Sequence, residues 1–235
     1  MEFAIKTLVL STATFGLMLS VTQNAQAATL IPGVTASTNI TGQSSPLWDL
    51  NDTVNGNGLP SNTPSLTGEH GESLIGNSWR SDILSNTQGT TIPSGTITFN
   101  LNGSYHLSGF TFWNLGGSSD ALTRQGINSV TIEYSNNGGT TWSTLSGAPT
   151  SFTQGTFGTP GTNQTPQAFS FASVAATNVR FTNLSNFGAF NNPTDNNRIG
   201  FSEIQFAAGT KIPEPSSLLA LLAFGLAGVS LGKRI

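Results

Sequence analysis

Gly95-Thr-Ile-Thr-Phe-Asn-Leu-Asn-Gly-Ser-Tyr-His-Leu-Ser-Gly-Phe-Thr-Phe-Trp-Asn114 decides the fold class, because its apolar residues recur every second position. Successive strand side chains leave opposite faces, so alternation of this kind marks a strand. Ile97, Phe99 and Leu101 share one face, with Thr98 and Asn100 between them. Phe110 and Phe112 share a face, and Thr111 and Trp113 take the other. The same period returns at Val130, Ile132 and Tyr134, and at Val179 and Phe181. From Ile199 to Phe206 the parity changes, with Ile199 and Phe201 odd and Ile204 and Phe206 even. A one-residue slip turns a strand over, so a bulge near Ser202-Glu203 is expected. No stretch between the two ends carries a helical stripe, and Gly, Asn, Ser and Pro clusters separate the strands. The class is therefore all-β, an antiparallel sandwich. Gly147 to Gln167, rich in Gly, Thr and Pro, reads as a solvated loop.

Composition narrows the chemistry. The 235 residues suffice for one ordinary domain with appendages. Only 8% are charged, so hydroxyl and amide side chains must carry solubility. The absence of Cys excludes a disulfide framework, a thiolate zinc site, an iron–sulfur cluster and a cysteine nucleophile. His70 and His106 are too few for multi-histidine metal catalysis. A net charge of −3 gives no electrostatic footprint for nucleic acid. There is no Gly-x-Ser-x-Gly elbow, no His-x-x-x-His pair and no phosphate loop, so the chain does not read as an enzyme.

The two ends read as sorting signals. In residues 1–27, Lys6 precedes an uncharged apolar run, Leu8 to Val21, and Ala25-Gln26-Ala27 offers small residues for a signal peptidase. A signal peptide cleaved before Ala28 is expected. At the other end, Pro213-Glu214-Pro215 breaks regular structure ahead of an uncharged stretch, Ser216 to Gly232, that closes on Lys233-Arg234. Its apolar side chains leave no polar face, so a transmembrane helix with its basic end in the cytoplasm is expected. Residues 212–235 closely resemble the PEP-CTERM sorting signal of exported bacterial proteins. The resemblance implies processing by an exosortase and a final place at the cell surface or in the extracellular matrix, among extracellular polysaccharide.

The body, residues 28–211, resembles a discoidin-like domain, the factor V/VIII type C or galactose-binding jelly roll. The matching stretches are Asn55-Gly56-Asn57-Gly58-Leu59, Ser78-Trp79-Arg80-Ser81, the Gly95–Asn114 segment, Leu122-Thr123-Arg124-Gln125-Gly126-Ile127 and Ile199-Gly200-Phe201-Ser202-Glu203-Ile204-Gln205-Phe206. That likeness implies a jelly-roll β-sandwich serving as a non-catalytic carbohydrate-binding module. It also implies a structural Ca2+ between an early loop and a late glutamate, here Asp52, Asn55 and Gly58 with Glu203. Asn55 stands where the pattern has Asp, which removes one charge from the set. A structural matrix spacer without ligand and, further off, a polysaccharide hydrolase are the alternatives.

Individual side chains sort by their alternatives. Ser135-Asn136-Asn137-Gly138-Gly139-Thr140-Thr141-Trp142 fits an Asp-box hairpin with Asn137 at the Asp position, and a lone box is a stapled turn, not a propeller blade. Trp79, Trp113 and Trp142 read as packing residues. Trp48, in a polar stretch, is the tryptophan open to stack on a sugar ring. Arg80 and Arg124 are the candidate clamps for a sugar hydroxyl or carboxylate. The bland alternative pairs each scarce arginine, Arg198 included, with Asp82, Asp120 or Asp195; Arg180, inside a strand, reads as structural.

Overall fold

In the computed structural model, which describes residues 28–42, 47–82, 95–188 and 198–211, the quoted stretch forms one 18-residue strand. It is β4 (Ile97–Asn114), preceded by β1 (Thr29–Leu30), β2 (Thr35–Thr38) and β3 (Trp79–Arg80). After it come a single helical turn α1 (Asp120–Arg124), then β5 (Thr131–Ser135), β6 (Ser143–Thr144), β7 (Gln167–Thr182) and β8 (Gly200–Lys211). The strands pair antiparallel in the order β1-β8-β4-β7-β5-β6, with β2 also on β4 and β3 on β8.

This sheet curls over on itself. Phe110 of β4 pairs in register with Phe206 of β8, yet the Phe99 ring also lies 5.3 Å from the Phe206 ring. Eleven residues of straight strand would hold Phe99 and Phe110 about 36 Å apart. The strand must therefore bend, and its register with β7 shifts between Asn100 and Tyr105, where Asn102 (φ 55°) and Gly103 (φ 146°) turn the backbone. The enclosed core is aromatic: Phe99, Phe110, Phe112, Phe181, Phe201 and Phe206 are fully buried.

Two local expectations meet the structure here. Glu203 lies opposite Trp113 and Phe201 opposite Asn114, so Ser202 is the extra residue of a bulge at the expected place. β4 exposes Asn100, Asn102 and His106, whereas its outer face is covered at Thr111 and Trp113. The Thr111 hydroxyl donates to Leu66 O and the Trp113 indole N–H to Gly68 O, so the 66–68 segment covers that face. Gly147 to Gln167 is a largely exposed loop, as expected, but Phe152 anchors it: that ring is buried and stacks on Phe112 at 3.9 Å between ring centres. That segment is fastened by Val130 N–H to Thr150 O (3.0 Å) and Phe152 N–H to Asn128 O (2.8 Å).

Close approach explains one glycine in it. A Cβ on Gly155 would overlap the Leu115 carbonyl oxygen, which is backbone and cannot swing aside. Gly155→Ala is expected to cost about 1–3 kcal/mol by overpacking, read as a lower midpoint in thermal denaturation.

The signal-peptide and tail-helix readings, residues 1–27 and 212–235, lie outside the described residues. Among the described residues no helix is long and apolar enough to cross a membrane.

Candidate functional site

Trp48 and Arg80 reach one place from distant parts of the chain. β3 pairs Arg80 with Gly200, and the Arg80 guanidinium carbon lies 4.3 Å from the Trp48 ring centre. Trp48 is only 8% exposed, so it is not the open stacking platform expected of it; the guanidinium covers its face. Arg80 Nη1–H donates to Gln125 Oε1 at 3.2 Å, and its buried Nε–H has no acceptor. Burial, with the nearby Arg198 charge added, pulls the Arg80 pKa down to about 10. Arg198 itself donates to Ser81 O (2.9 Å) and lies 3.4 Å from Asp82 Oδ1, the pairing weighed for it above. Arg124 is adjacent to Gln125 in sequence, but its Nε is 2.7 Å from Asp120 Oδ2 across one exposed helical turn.

The early loop and the late glutamate also meet. Gly56 N–H donates to Glu203 Oε1 at 3.2 Å, and the Gln205 side-chain amide donates to the same oxygen. Glu203 is fully buried, and its second oxygen, Oε2, has no partner. Desolvation pushes its pKa up to about 8, with the nearby Asp52 charge adding to the push and the two donors opposing it. Asp52, in a 3-10 turn (Leu50–Thr53), is itself raised by burial first, while the Asn55 amide donates to its Oδ1 at 3.2 Å. Gly58 O accepts from Gly71 N–H at 2.8 Å.

An orphaned carboxylate oxygen beside a second acid fits a cation better than an empty space. Only two of the four candidate ligands are carboxylates, however, and among the described residues no group of three or more His, Cys, Asp or Glu gathers. Beneath this loop His70 is buried, with Nδ1 2.7 Å from Gly71 O and Nε2 2.9 Å from Asn57 O. Desolvation lowers its pKa, so it braces the loop as a mostly neutral ring.

Elsewhere, a concavity of about 230 Å³ is lined by Asn114, Gln154, Gln164 and Gln167 with Thr153 and Gly155 among its walls. Its amides are already engaged. Thr153 N–H donates to Gln167 Oε1 while Gln167 Nε2 donates to Thr153 O, at 2.7 and 3.0 Å. Gln164 treats the Thr156 backbone the same way, and Asn114 Nδ2 donates to Ile127 O and Thr153 O. These side chains substitute for missing strand partners and hold the 153–165 segment. They have few bonds left for a ligand.

The remaining singled-out residues are structural. Trp79 and Trp113 are fully buried. In the Asp-box turn, Asn137 Oδ1 accepts from Thr141 N–H (3.0 Å) and Ser135 Oγ from Gly139 N–H (2.9 Å). Arg180 is ion-paired to Glu133 at 2.6 Å and covers the Trp142 ring. Sequence reasoning missed Gln125, Gln205, Gly56 and His70. Gln205 had a signal, since it lies two residues beyond Glu203 on one strand; the others are set by loop geometry alone.

Residues 211–234 match the PEP-CTERM protein-sorting motif, so the chain carries that signal. The described body has solved structural neighbours among family 32 CBM (carbohydrate-binding module) and F5/8 type C domains. One is the family 32 CBM of Clostridium perfringens NanJ in complex with galactose, 13% identical, covering 77% of this chain and 98% of that one at TM-score 0.43. Another is CBM32-3 from a family 31 glycoside hydrolase of C. perfringens, 17% identical over 77% and 94% of the two chains, TM-score 0.47. An F5/8 type C domain from Bacteroides fragilis is 15% identical over 78% and 96%, TM-score 0.47. No curated protein matches the chain.

Proposed function

We propose that the protein is an exported, non-catalytic module that binds or integrates into extracellular polysaccharide, with Arg80 at the contact and Trp48 supporting it from beneath. Signal peptidase and an exosortase process its two ends, and the C-terminal helix holds it in the membrane until surface or matrix delivery. The sorting motif supports the destination. The observation that carries the binding role is a guanidinium centred 4.3 Å over an indole ring and bonded to a neutral amide rather than to a carboxylate. A Ca2+ held by Asp52, Asn55, Gly58 and Glu203 would fix the adjoining loop as a structural ion.

The test is retention of the exported protein on the producing organism's own polysaccharide. Saturable binding is expected, weakened about tenfold or more by Trp48→Ala or Arg80→Ala, the loss for one charge-assisted bond or its support. Absence of binding to that polymer and to a glycan array would leave a matrix spacer. Turnover of the polymer would make the protein a hydrolase.

A further inference from the structure

Arginines are scarce in this chain, and two that the structure describes handle their charge differently from the other two. Arg124 and Arg180 each present Nε to a carboxylate, at 2.7 and 2.6 Å. Arg80 presents Nη1 to a neutral amide, Gln125 Oε1, and its Nε to nothing. Arg198 is brought beside it by the β3–β8 pairing, with Ser81 N–H on Ile199 O (2.7 Å) and Ile199 N–H on the Ser81 hydroxyl (3.0 Å). Arg198 has one acid, Asp82, at 3.4 Å, and that carboxylate is more than half exposed.

Among the described residues, then, Asp82 is the one carboxylate paired with either guanidinium, and it meets Arg198 alone. The chain as a whole has more acid than base, 11 against 8. Placing two cations side by side in such a chain is costly unless an anion from outside completes the group. Burial strengthens the effect, because the like charges are less screened there, consistent with the lowered Arg80 pKa.

We propose that this site takes a carboxylate-bearing sugar residue, its carboxylate shared between Arg80 and Arg198; this rests on the glycan-binding reading above. A carboxylate matches the planar, always-charged guanidinium better than a neutral hydroxyl does, because its bonds are charge-assisted. A neutral ring would satisfy a donor and leave the surplus charge.

The test compares two polymers of one backbone, polygalacturonate and its carboxyl-reduced neutral form, by calorimetric titration into the full exported protein. Affinity for the acidic polymer is expected to exceed that for the neutral one by about tenfold or more, and to fall with added salt. Arg198→Gln should abolish most of that preference, read as the ratio of the two affinities, while Arg198→Lys retains part of it. Thermal midpoints check that the variants fold, and the salt dependence of the unaltered protein tests the proposal if one does not. Equal affinity for both polymers overturns the anionic assignment and leaves the glycan reading intact. Failure to bind either polymer, together with failure on the native polysaccharide, overturns both.

Discussion

Millimolar Ca2+ is expected to raise the melting temperature of the exported protein by about 5–10 °C over chelator at pH 8, and Glu203→Gln to erase that response. Saturation at a hundred times the dissociation constant contributes about 2.7 kcal/mol, and each kcal/mol moves the midpoint of a chain this size by about 2–4 °C. The cause is local. Glu203 is fully buried with Oε2 unpartnered, and a bound cation would relieve it. Without metal, its folded-state pKa of about 8 lies above the ordinary 4.5, so the native state holds a proton that the unfolded chain releases. Stability from this group is therefore present at low pH and is lost as pH rises from about 4.5 through 8, by about 5 kcal/mol in total. Glu203→Gln keeps an oxygen for Gly56 N–H and cannot ionise. In chelator at pH 8–9 it should melt above the unaltered protein, and in saturating Ca2+ the order should reverse. Identical curves with and without Ca2+ in the unaltered protein would remove the ion from the site.

Phe99→Ala is expected to cost about 3–5 kcal/mol, enough to leave the domain largely unfolded near 37 °C if its total stability is of ordinary size. Phe99 is where the curl closes: its ring meets Phe181 at 5.2 Å, Phe206 at 5.3 Å and Phe201 at 6.2 Å, which come from β7 and β8. Truncation leaves a cavity walled by aromatic rings from separate strands, which cannot collapse together without moving the sheet. Phe99→Leu, which refills most of the volume, should recover more than half of the loss in chemical denaturation. Near-normal stability of the alanine variant would mean the two halves of the sheet do not enclose this core.

Much of this architecture is legible in β4 and β8. Period-two alternation located Ile97–Leu101 and Phe110–Trp113, and the parity change at Ile199–Phe206 placed the bulge at Ser202. Phe152 was hidden because a lone aromatic among Gly, Thr and Pro gives no periodic signal, and its burial follows from stacking on Phe112. The β7 residues 167–176 escaped for a related reason: alternation there is between Phe and small residues, and only their pairing with β4 makes them strand. In the site, residue type alone nominates Arg80 and Trp48, but Trp48 is not the open platform for a sugar ring that it suggests. Trp48 lies beneath the guanidinium, an arrangement set by tertiary contact between 48 and 80. Arg124 shows the limit of residue type, since an i,i+4 aspartate is visible in the sequence and occupies it.

Amide-resolved NMR during titration with oligosaccharides cut from the native extracellular polysaccharide tests the placement of binding most directly. Shifts that saturate and cluster at residues 47–50, 79–82 and 124–126 are the expected result. Shifts confined to the amide-lined hollow at 153–156 and 164–167, or none at any concentration, would show that the stacked tryptophan and arginine do not meet a glycan.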